Sequence, residues 1–308
     1  MKNGRVIVEA PASSANLGCG FDTFALALEG PKDRLALEKE ESQISLKVRG
    51  PRELAEDPAG NVAVAVASVM MGEYRLRGGV AMSLTKGVPV GLGLGSSAAT
   101  SVATAAGIDR LFGLRLSETE LITFAGVGEK AASGTAHYDN VAASFAGGFV
   151  VVRWDHSFVR MEPPKSMALC LVTPRVKLPR EKTKFARSLL PKQVRLERAV
   201  AVTRATSMMV HGFATGSLDE IGDAMEVSLV DDRRAVMVPG FERVRLAALS
   251  SGAFGTCISG AGPTLLAVAE WRLREKVIRG MVKAFRSEGI ESSGFATGAG
   301  GGCRIRAA

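Results

Sequence analysis

The chain has 308 residues, past the length at which one hydrophobic core usually stops growing, so two domains of roughly 150 residues are expected. A hydrophobic fraction of 46% with 23% charged residues and no long block of one charge excludes a disordered or fibrous chain. Lysine and arginine outnumber aspartate and glutamate by 39 to 31, a net charge of +8 that favours anionic ligands. The basic residues are scattered, however, and only 6% of the chain is aromatic, which argues against a nucleic-acid surface.

Cys19, Cys170, Cys257 and Cys303 lie far apart with no C-x-x-C pair. Neither a zinc knuckle nor a redox dithiol is expected, and a reduced cytoplasmic compartment is. Residues 1–18 lack the apolar stretch of a signal peptide, and no run of about eighteen apolar residues follows, so neither export nor a membrane span is expected.

In chain order, the alternating β-branched residues 5–9 predict a strand that Pro11 ends, and further strands are expected over 34–39, 44–49 and 80–85. Residues 60–71 and 96–112 repeat small and apolar side chains at helical spacing, the second closing at Gly113 as a left-handed cap. A third helix is expected over 118–132, with Ser117 and Glu120 as a capping box, then a strand over 145–153. The Pro163-Pro164 pair disrupts helix and strand alike and marks the expected boundary between domains 1–162 and 163–308. Beyond it the pattern predicts a strand at 168–173, helices at 182–190, 192–214, 218–229 and 241–251, a strand at 264–270, a helix at 272–288 and a last strand at 303–306.

The chemistry gathers in glycine-bearing segments. Residues 89–100, PVGLGLGSSAAT, set Gly91, Gly93 and Gly95 at alternate positions directly before a helix whose first residues are Ser96 and Ser97. Unpaired amides at a helix N-terminus, its positive dipole end and glycine's freedom for close approach together suit a phosphate. The spacing matches neither a Walker A loop nor a dinucleotide fingerprint, and a flexible loop capped by serine fits this segment equally. Residues 11–22, PASSANLGCGFD, collect Asn16 and Asp22 in what composition alone reads as a serine or Asx turn. Residues 128–143 place Glu129, His137, Asp139 and Asn140 around a glycine turn, either as metal and substrate ligands or as surface pairs and caps. Residues 256–267, TCISGAGPTLLA, form a tight turn that another backbone can approach.

These segments, in this order, resemble the GHMP kinase superfamily, named for galactokinase, homoserine, mevalonate and phosphomevalonate kinases, over nearly the whole chain. Within it the strings PASSANLGCGFD, AHYDNVA and GGF, with TKFAR at 183–187 and RRAVMVPG at 233–240, are most similar to the homoserine kinase branch. The resemblance implies an α+β fold of two domains, the first a mixed sheet with helices and a glycine-rich phosphate loop, the second a ferredoxin-like sandwich. It also implies ATP and Mg²⁺ as cofactors, L-homoserine as substrate, a role in threonine biosynthesis and a homodimer. Pro89, Val90, Gly91, Leu92, Gly93, Leu94, Gly95, Ser96, Ser97 and Ala98 would bind ATP, with Ser97 and Glu129 holding the metal. Asn16, Asp22, His137, Asn140, Arg187, Arg234 and Gly260 would bind substrate, and Asn140, Asn16, Glu129 and Ser97 would carry catalysis.

Three departures mark this chain: Cys19 where proline is common, Ala136 where glycine is usual, and Asp231-Asp232-Arg233 before the second arginine, which leaves Arg233 able to replace Arg234. The expected step moves the γ-phosphoryl group of ATP to the substrate hydroxyl, with Asn140 orienting that hydroxyl and its proton passing directly to phosphate rather than to Asp139. A mevalonate-type acceptor and a non-catalytic ligand sensor are the rival readings, and Asp22, suited to a substrate ammonium, separates the first of them.

Overall fold

Alternation at the N-terminus sets the first sheet. In the computed structural model, which describes residues 4–50, 60–134, 136–179 and 182–307, strand β1 (Arg5–Asn16) buries Val6, Val8 and Ala10, as period-2 spacing predicts. It runs past Pro11 to Asn16 because the register with strand β2 (Gly20–Glu40) shifts between Pro11 and Ser13, an irregularity that tolerates a residue without an N–H. The first half of β2 is absent from the sequence reading. Phe24, Ala25, Leu26, Ala27 and Leu28 are all buried there, and a strand covered on both faces shows no alternation.

Strand β3 (Ile44–Arg49) pairs parallel with β4 (Gly79–Thr85), and helix α1 (Val62–Glu73) connects them, capped by Asn61, whose side chain accepts from the Ala63 amide. Helix α2 (Ser96–Phe112) carries alanines and small polar residues that are buried nearly all round, so it lies inside the domain against β1 and β2. Gly113, at φ 71°, caps it as expected, and Ser117 with Glu120 forms the expected capping box of α3 (Glu118–Ser133).

The strand expected over 145–153 divides in two. Residues Tyr138–Ala146 form helix α4, and only Phe149–Val152 is strand, here β5. A helix this short is held by packing rather than propensity, and Val141, Ala142, Ala143 and Ser144 are all buried. Strand β6 (Phe158–Met161), unforeseen, pairs with β5.

Among the described residues the first sheet has seven strands in the order β11-β1-β2-β4-β3, with β5 on β2 and β6 on β5. Its outermost member, β11 (Arg304–Ala307), is the last strand of the chain, pairing antiparallel with β1. The chain therefore crosses at Pro163-Pro164 into a second layer and returns at its end. That layer is a four-stranded antiparallel sheet of β7 (Met167–Pro174), β8 (Ala253–Ile258), β9 (Leu265–Glu270) and β10 (Ser292–Thr297), ordered β10-β7-β9-β8. Fourth, first, third, second is the ferredoxin-like arrangement. Helices α5 (Lys182–Ser188), α6 (Leu196–Thr215), α7 (Leu218–Met225), α8 (Asp231–Arg234) and α9 (Phe241–Ser250) fall between β7 and β8, and α10 (Arg274–Ser287) between β9 and β10.

Strands β8 and β10 escape the sequence pattern because each carries a glycine. A Cβ at Gly255 would stand 2.2 Å from the Gly222 carbonyl of α7, and one at Gly294 would meet Ile278 at 2.8 Å, so both glycines mark close packing of a helix on the sheet. The two layers share one large core. Phe149 of β5 stacks on Phe213 of α6 with ring centroids 3.9 Å apart and meets Phe24 edge-on at 5.2 Å. Truncating this ring removes contacts to both layers, so Phe149→Ala lowers the unfolding free energy by about 3–5 kcal/mol in denaturant titration; a loss under about 1 kcal/mol would show that the junction is not part of the core.

Candidate active site

Three turns meet over one cleft of about 310 Å³. The phosphate loop ends at Gly95, which takes the left-handed conformation at φ 64° and offers α2 no side-chain cap. The first-turn amides of α2 are therefore left facing the cleft beside Ser96 and Ser97. Gly93 lies under the turn that follows β8: a Cβ there would stand 2.3 Å from the Ser259 carbonyl, and Ser259 Oγ donates to the Gly93 carbonyl at 2.7 Å. Gly95 is equally confined, since a Cβ would fall 2.2 Å from Ser13 Oγ.

The N-terminal motif closes the third side. Ser13 N donates to the Leu94 carbonyl at 3.1 Å and Ser14 Oγ meets Ser259 Oγ at 2.8 Å. Asn16, buried at φ 74°, donates from Nδ2 to the Gly260 carbonyl at 3.0 Å and accepts from the Asp22 amide at 3.2 Å. The Gly260 amide returns to the Ala15 carbonyl at 3.1 Å.

Beneath the phosphate loop sits a buried ion pair that the sequence pattern did not single out. Asp33, wholly buried in β2, accepts from the Lys86 ammonium, from Thr100 Oγ1 of α2 at 2.7 Å and from the amides of Gly87 and Val88 at 3.0 and 2.9 Å. Lys86 also donates to the Ser96 carbonyl at 2.6 Å and to Thr100 Oγ1 at 2.8 Å. Burial pushes the Lys86 ammonium down, with the Asp33 carboxylate working against it. The pair ties β2, the loop and the first turn of α2 together, so the cradle is held by charge as well as by glycine geometry.

The opposite wall carries charges of both signs. Arg187 of α5 donates from Nη2 to both oxygens of Asp22 at 3.1 and 3.0 Å, and from Nε to His137 Nε2 at 3.2 Å. His137 Nδ1 lies 3.3 Å from Glu129 Oε2 at the end of α3. Arg234, buried at the end of α8, donates to the Gly260 carbonyl at 2.8 Å. Both guanidiniums lie over the Phe21 ring, at 5.9 Å for Arg187 and 5.3 Å for Arg234. Arg233 is exposed, so of the two neighbouring arginines it is Arg234 that lines the cleft.

At the centre, Asn140 is fixed through Oδ1, which accepts from Ser13 Oγ at 2.9 Å. Asp139 Oδ1 takes the Asn140 amide at 2.7 Å. Burial, reinforced by repulsion from Asp22, pushes the Asp139 carboxyl up to about 6.

Of the expected site residues, Val90, Gly91, Gly93, Leu94, Gly95, Ser96, Ser97, Asn16, Asp22, Glu129, His137, Asn140, Arg187, Arg234 and Gly260 all line this cleft. Three expected ATP contacts do not. Ala98 turns into the core with no exposure, one residue into a helix buried on every side; Leu92 lines a separate cavity beside Thr173 and Pro174; Pro89 points to solvent at the foot of the loop. Lys86, Thr100 and Lys182 also line the cleft, with Asp33 beneath it, and the sequence pattern singled out none of the four. Lys86 and Asp33 are 53 positions apart, and a pair made only by tertiary folding leaves no periodic signal.

Among the described residues no cluster of three or more His, Cys, Asp or Glu is gathered for a metal. Glu129 and Ser97 give one carboxylate and one hydroxyl at the edge of the anion cradle. That hard-oxygen set fits Mg²⁺, which usually takes one or two carboxylates and completes its shell with phosphate and water.

The family description "GHMP kinases N terminal domain" fits residues 61–148, and "GHMP kinases C terminal" fits residues 209–287. The chain is 37% identical over 301 residues to the homoserine kinase of Natronomonas pharaonis, covering 97% of this chain and 99% of that one. It is 37% identical to the homoserine kinase of Methanocella arvoryzae, covering 97% of each. The crystal structure of homoserine kinase from Cytophaga hutchinsonii superposes with a TM-score of 0.90 at 32% identity, covering 99% of this chain and 98% of that one. A mevalonate kinase of L. major shares the fold alone, with a TM-score of 0.70 at 17% identity over 94% of this chain and 95% of that one.

Removing one partner of the buried pair strands the other charge. Lys86→Met lowers the unfolding free energy by about 3–5 kcal/mol, and adding Asp33→Leu restores most of the loss in a double-mutant cycle. Simple additivity of the two losses would mean that the charges do not act as a unit.

Proposed function

We propose, for a chain that belongs to the GHMP kinase superfamily, that it transfers the γ-phosphoryl group of ATP to the terminal hydroxyl of L-homoserine, giving O-phospho-L-homoserine. The observation that carries the reading is the pairing of Asp22 with Arg187, and of Arg234 beside them, across one cleft from the uncapped N-terminus of α2. Opposite charges a few ångströms apart match a zwitterionic amino acid, whose carboxylate suits a guanidinium and whose ammonium suits a carboxylate. A hydroxy acid without an ammonium would leave Asp22 without a ligand.

The roles follow from position. The amides of Gly95, Ser96 and Ser97 and the dipole of α2 hold the β- and γ-phosphates. Asn16 braces the Gly260 turn and the Asp22 backbone, and so fixes the substrate wall. Asn140, locked between Ser13 and Asp139, orients the substrate hydroxyl. Glu129 and Ser97 would hold Mg²⁺, which supplies charge neutralisation on the phosphates when bound. The hydroxyl oxygen bonds to the γ-phosphorus as the bond to the bridging oxygen breaks, and the hydroxyl proton passes to a phosphoryl oxygen. Asp139 is a positioning residue in this scheme, since Asn140 occupies its Oδ1. Cytoplasmic location and a homodimer complete the reading; Cys19, Cys170 and Cys257 are buried free thiols, which supports a reducing compartment.

Magnesium-dependent release of ADP from ATP tests the reading, with L-homoserine, mevalonate, shikimate and no acceptor compared on the purified protein. Turnover confined to homoserine is the expected result. Turnover with another acceptor keeps the fold and removes the substrate assignment, and silence throughout favours a non-catalytic ligand sensor. In the same assay Arg234→Ala raises the KM for homoserine by roughly 10²-fold or more, the scale of a lost charge-assisted bond.

Asp139→Asn keeps turnover within about tenfold of the wild type, whereas a general base would cost 10²-fold or more. Its pH signature has a definite sign. A carboxyl raised to about 6 in the fold, from about 4 in the unfolded chain, favours folding fully below pH 4 and loses that contribution as pH rises through 6. The stability of Asp139→Asn relative to wild type therefore climbs between about pH 4 and 6 in denaturant titrations and is flat above.

A further inference from the structure

Lys182 opens α5 with its side chain buried against the turn that follows β8, and its ammonium donates to the Gly262 carbonyl. Gly262 is the residue that leans on the phosphate loop: a Cβ at Gly93 would stand 2.8 Å from the same Gly262 oxygen. The ammonium is thus one carbonyl away from the middle glycine of the anion cradle. Two residues earlier in the turn, the Gly260 carbonyl holds Arg234 on the substrate wall. Lys182 therefore lies between Gly93 of the anion cradle and Arg234 of the opposite wall, and it lines the cleft together with both.

Among the described residues no carboxylate pairs with Lys182, and the charged group that faces it is another cation, Arg234. A buried ammonium with one carbonyl acceptor and a like charge beside it costs free energy that a structural lysine would avoid by pairing. Lys86 shows that alternative in the same cleft, buried to a similar degree and matched by Asp33. An unmatched buried cation is the arrangement expected where the missing partner is a ligand anion.

We infer that the Lys182 ammonium binds the transferred γ-phosphoryl group, donating to its oxygens as charge shifts from ATP to the acceptor. This rests on the kinase reading above. Lys182 forms no covalent bond and moves no proton; the phosphorus exchanges the bridging oxygen for the acceptor oxygen while the ammonium stays bound to the phosphoryl oxygens. Burial and the neighbouring Arg234 bring Lys182 down to about 8, so in the free enzyme this charge is present at neutral pH and is lost as pH rises through that value.

The test compares wild type, Lys182→Met and Lys182→Arg. Calorimetric titration with ATP and with ADP needs no acceptor: Lys182→Met weakens ATP about tenfold and leaves ADP within about twofold, because only ATP carries the group in question. With homoserine, Lys182→Met lowers kcat roughly 10²–10³-fold with the homoserine KM little changed, the scale of one lost donor to a transition-state oxygen. Lys182→Arg recovers a large part of the rate and holds kcat/KM above pH 8, where the wild type declines. Equal weakening of ATP and ADP, or loss of kcat in step with a fall in melting temperature, would make Lys182 a brace for the Gly262 turn and overturn the inference. Failure of homoserine turnover in the wild type would remove the acceptor assignment while the ATP and ADP titrations still decide the role of Lys182.

Discussion

The site depends on three backbone turns approaching one another more closely than side chains allow. Ser259 donates to the Gly93 carbonyl at 2.7 Å, the Ser13 amide to the Leu94 carbonyl at 3.1 Å, and Asn16 Nδ2 to the Gly260 carbonyl at 3.0 Å. The first of these turns ends β1, the second opens α2 and the third joins β8 to β9, so the interlock ties both sheets to the uncapped N-terminus of α2. Gly93 and Gly95 are required in the middle of it, since a Cβ at Gly93 would stand 2.3 Å from the Ser259 carbonyl and one at Gly95 2.2 Å from the Ser13 hydroxyl. The cradle is consequently formed in advance of any ligand, as electrostatic stabilisation requires.

Charge is then distributed by burial rather than by abundance. The excess of lysine and arginine over the whole surface says little about the cleft, where four cations have four different settings. Lys86 is neutralised by Asp33 beneath the loop; Arg187 is held by the half-exposed Asp22. Arg234 stands near Asp231, whose carboxyl burial pushes up to about 6, and Lys182 has Arg234 for a neighbour. The buried Lys86–Asp33 pair supports the scaffold, and Arg187, Arg234 and Lys182 line the opposite side of the cleft.

Much of this was legible in the sequence because glycine leaves a mark. The alternate glycines at 91, 93 and 95 pointed to positive φ and close approach before a helix; all three are left-handed, and Gly93 and Gly95 make the close approach while Gly91 faces open space. Ser117 with Glu120 and Gly113 announced helix ends through local chemistry, and local chemistry is what a sequence displays. Most of the misses share one cause. The first half of β2, helix α4 and strands β8 and β10 owe their form to tertiary burial, which hides alternation or replaces it with a glycine at a contact. Asp33, Lys86 and Lys182 are ordinary charged residues until folding removes them from water.

Phosphorus NMR of the products from ATP and L-homoserine tests the central claim most directly. The account predicts a single new phosphomonoester resonance split by the two protons of the adjacent methylene, growing in step with ADP. Inorganic phosphate alone would mean that water rather than the amino acid accepts the group, and an acyl phosphate would place the reacting oxygen on the carboxylate that Arg187 and Arg234 are held to bind; either result would contradict the account.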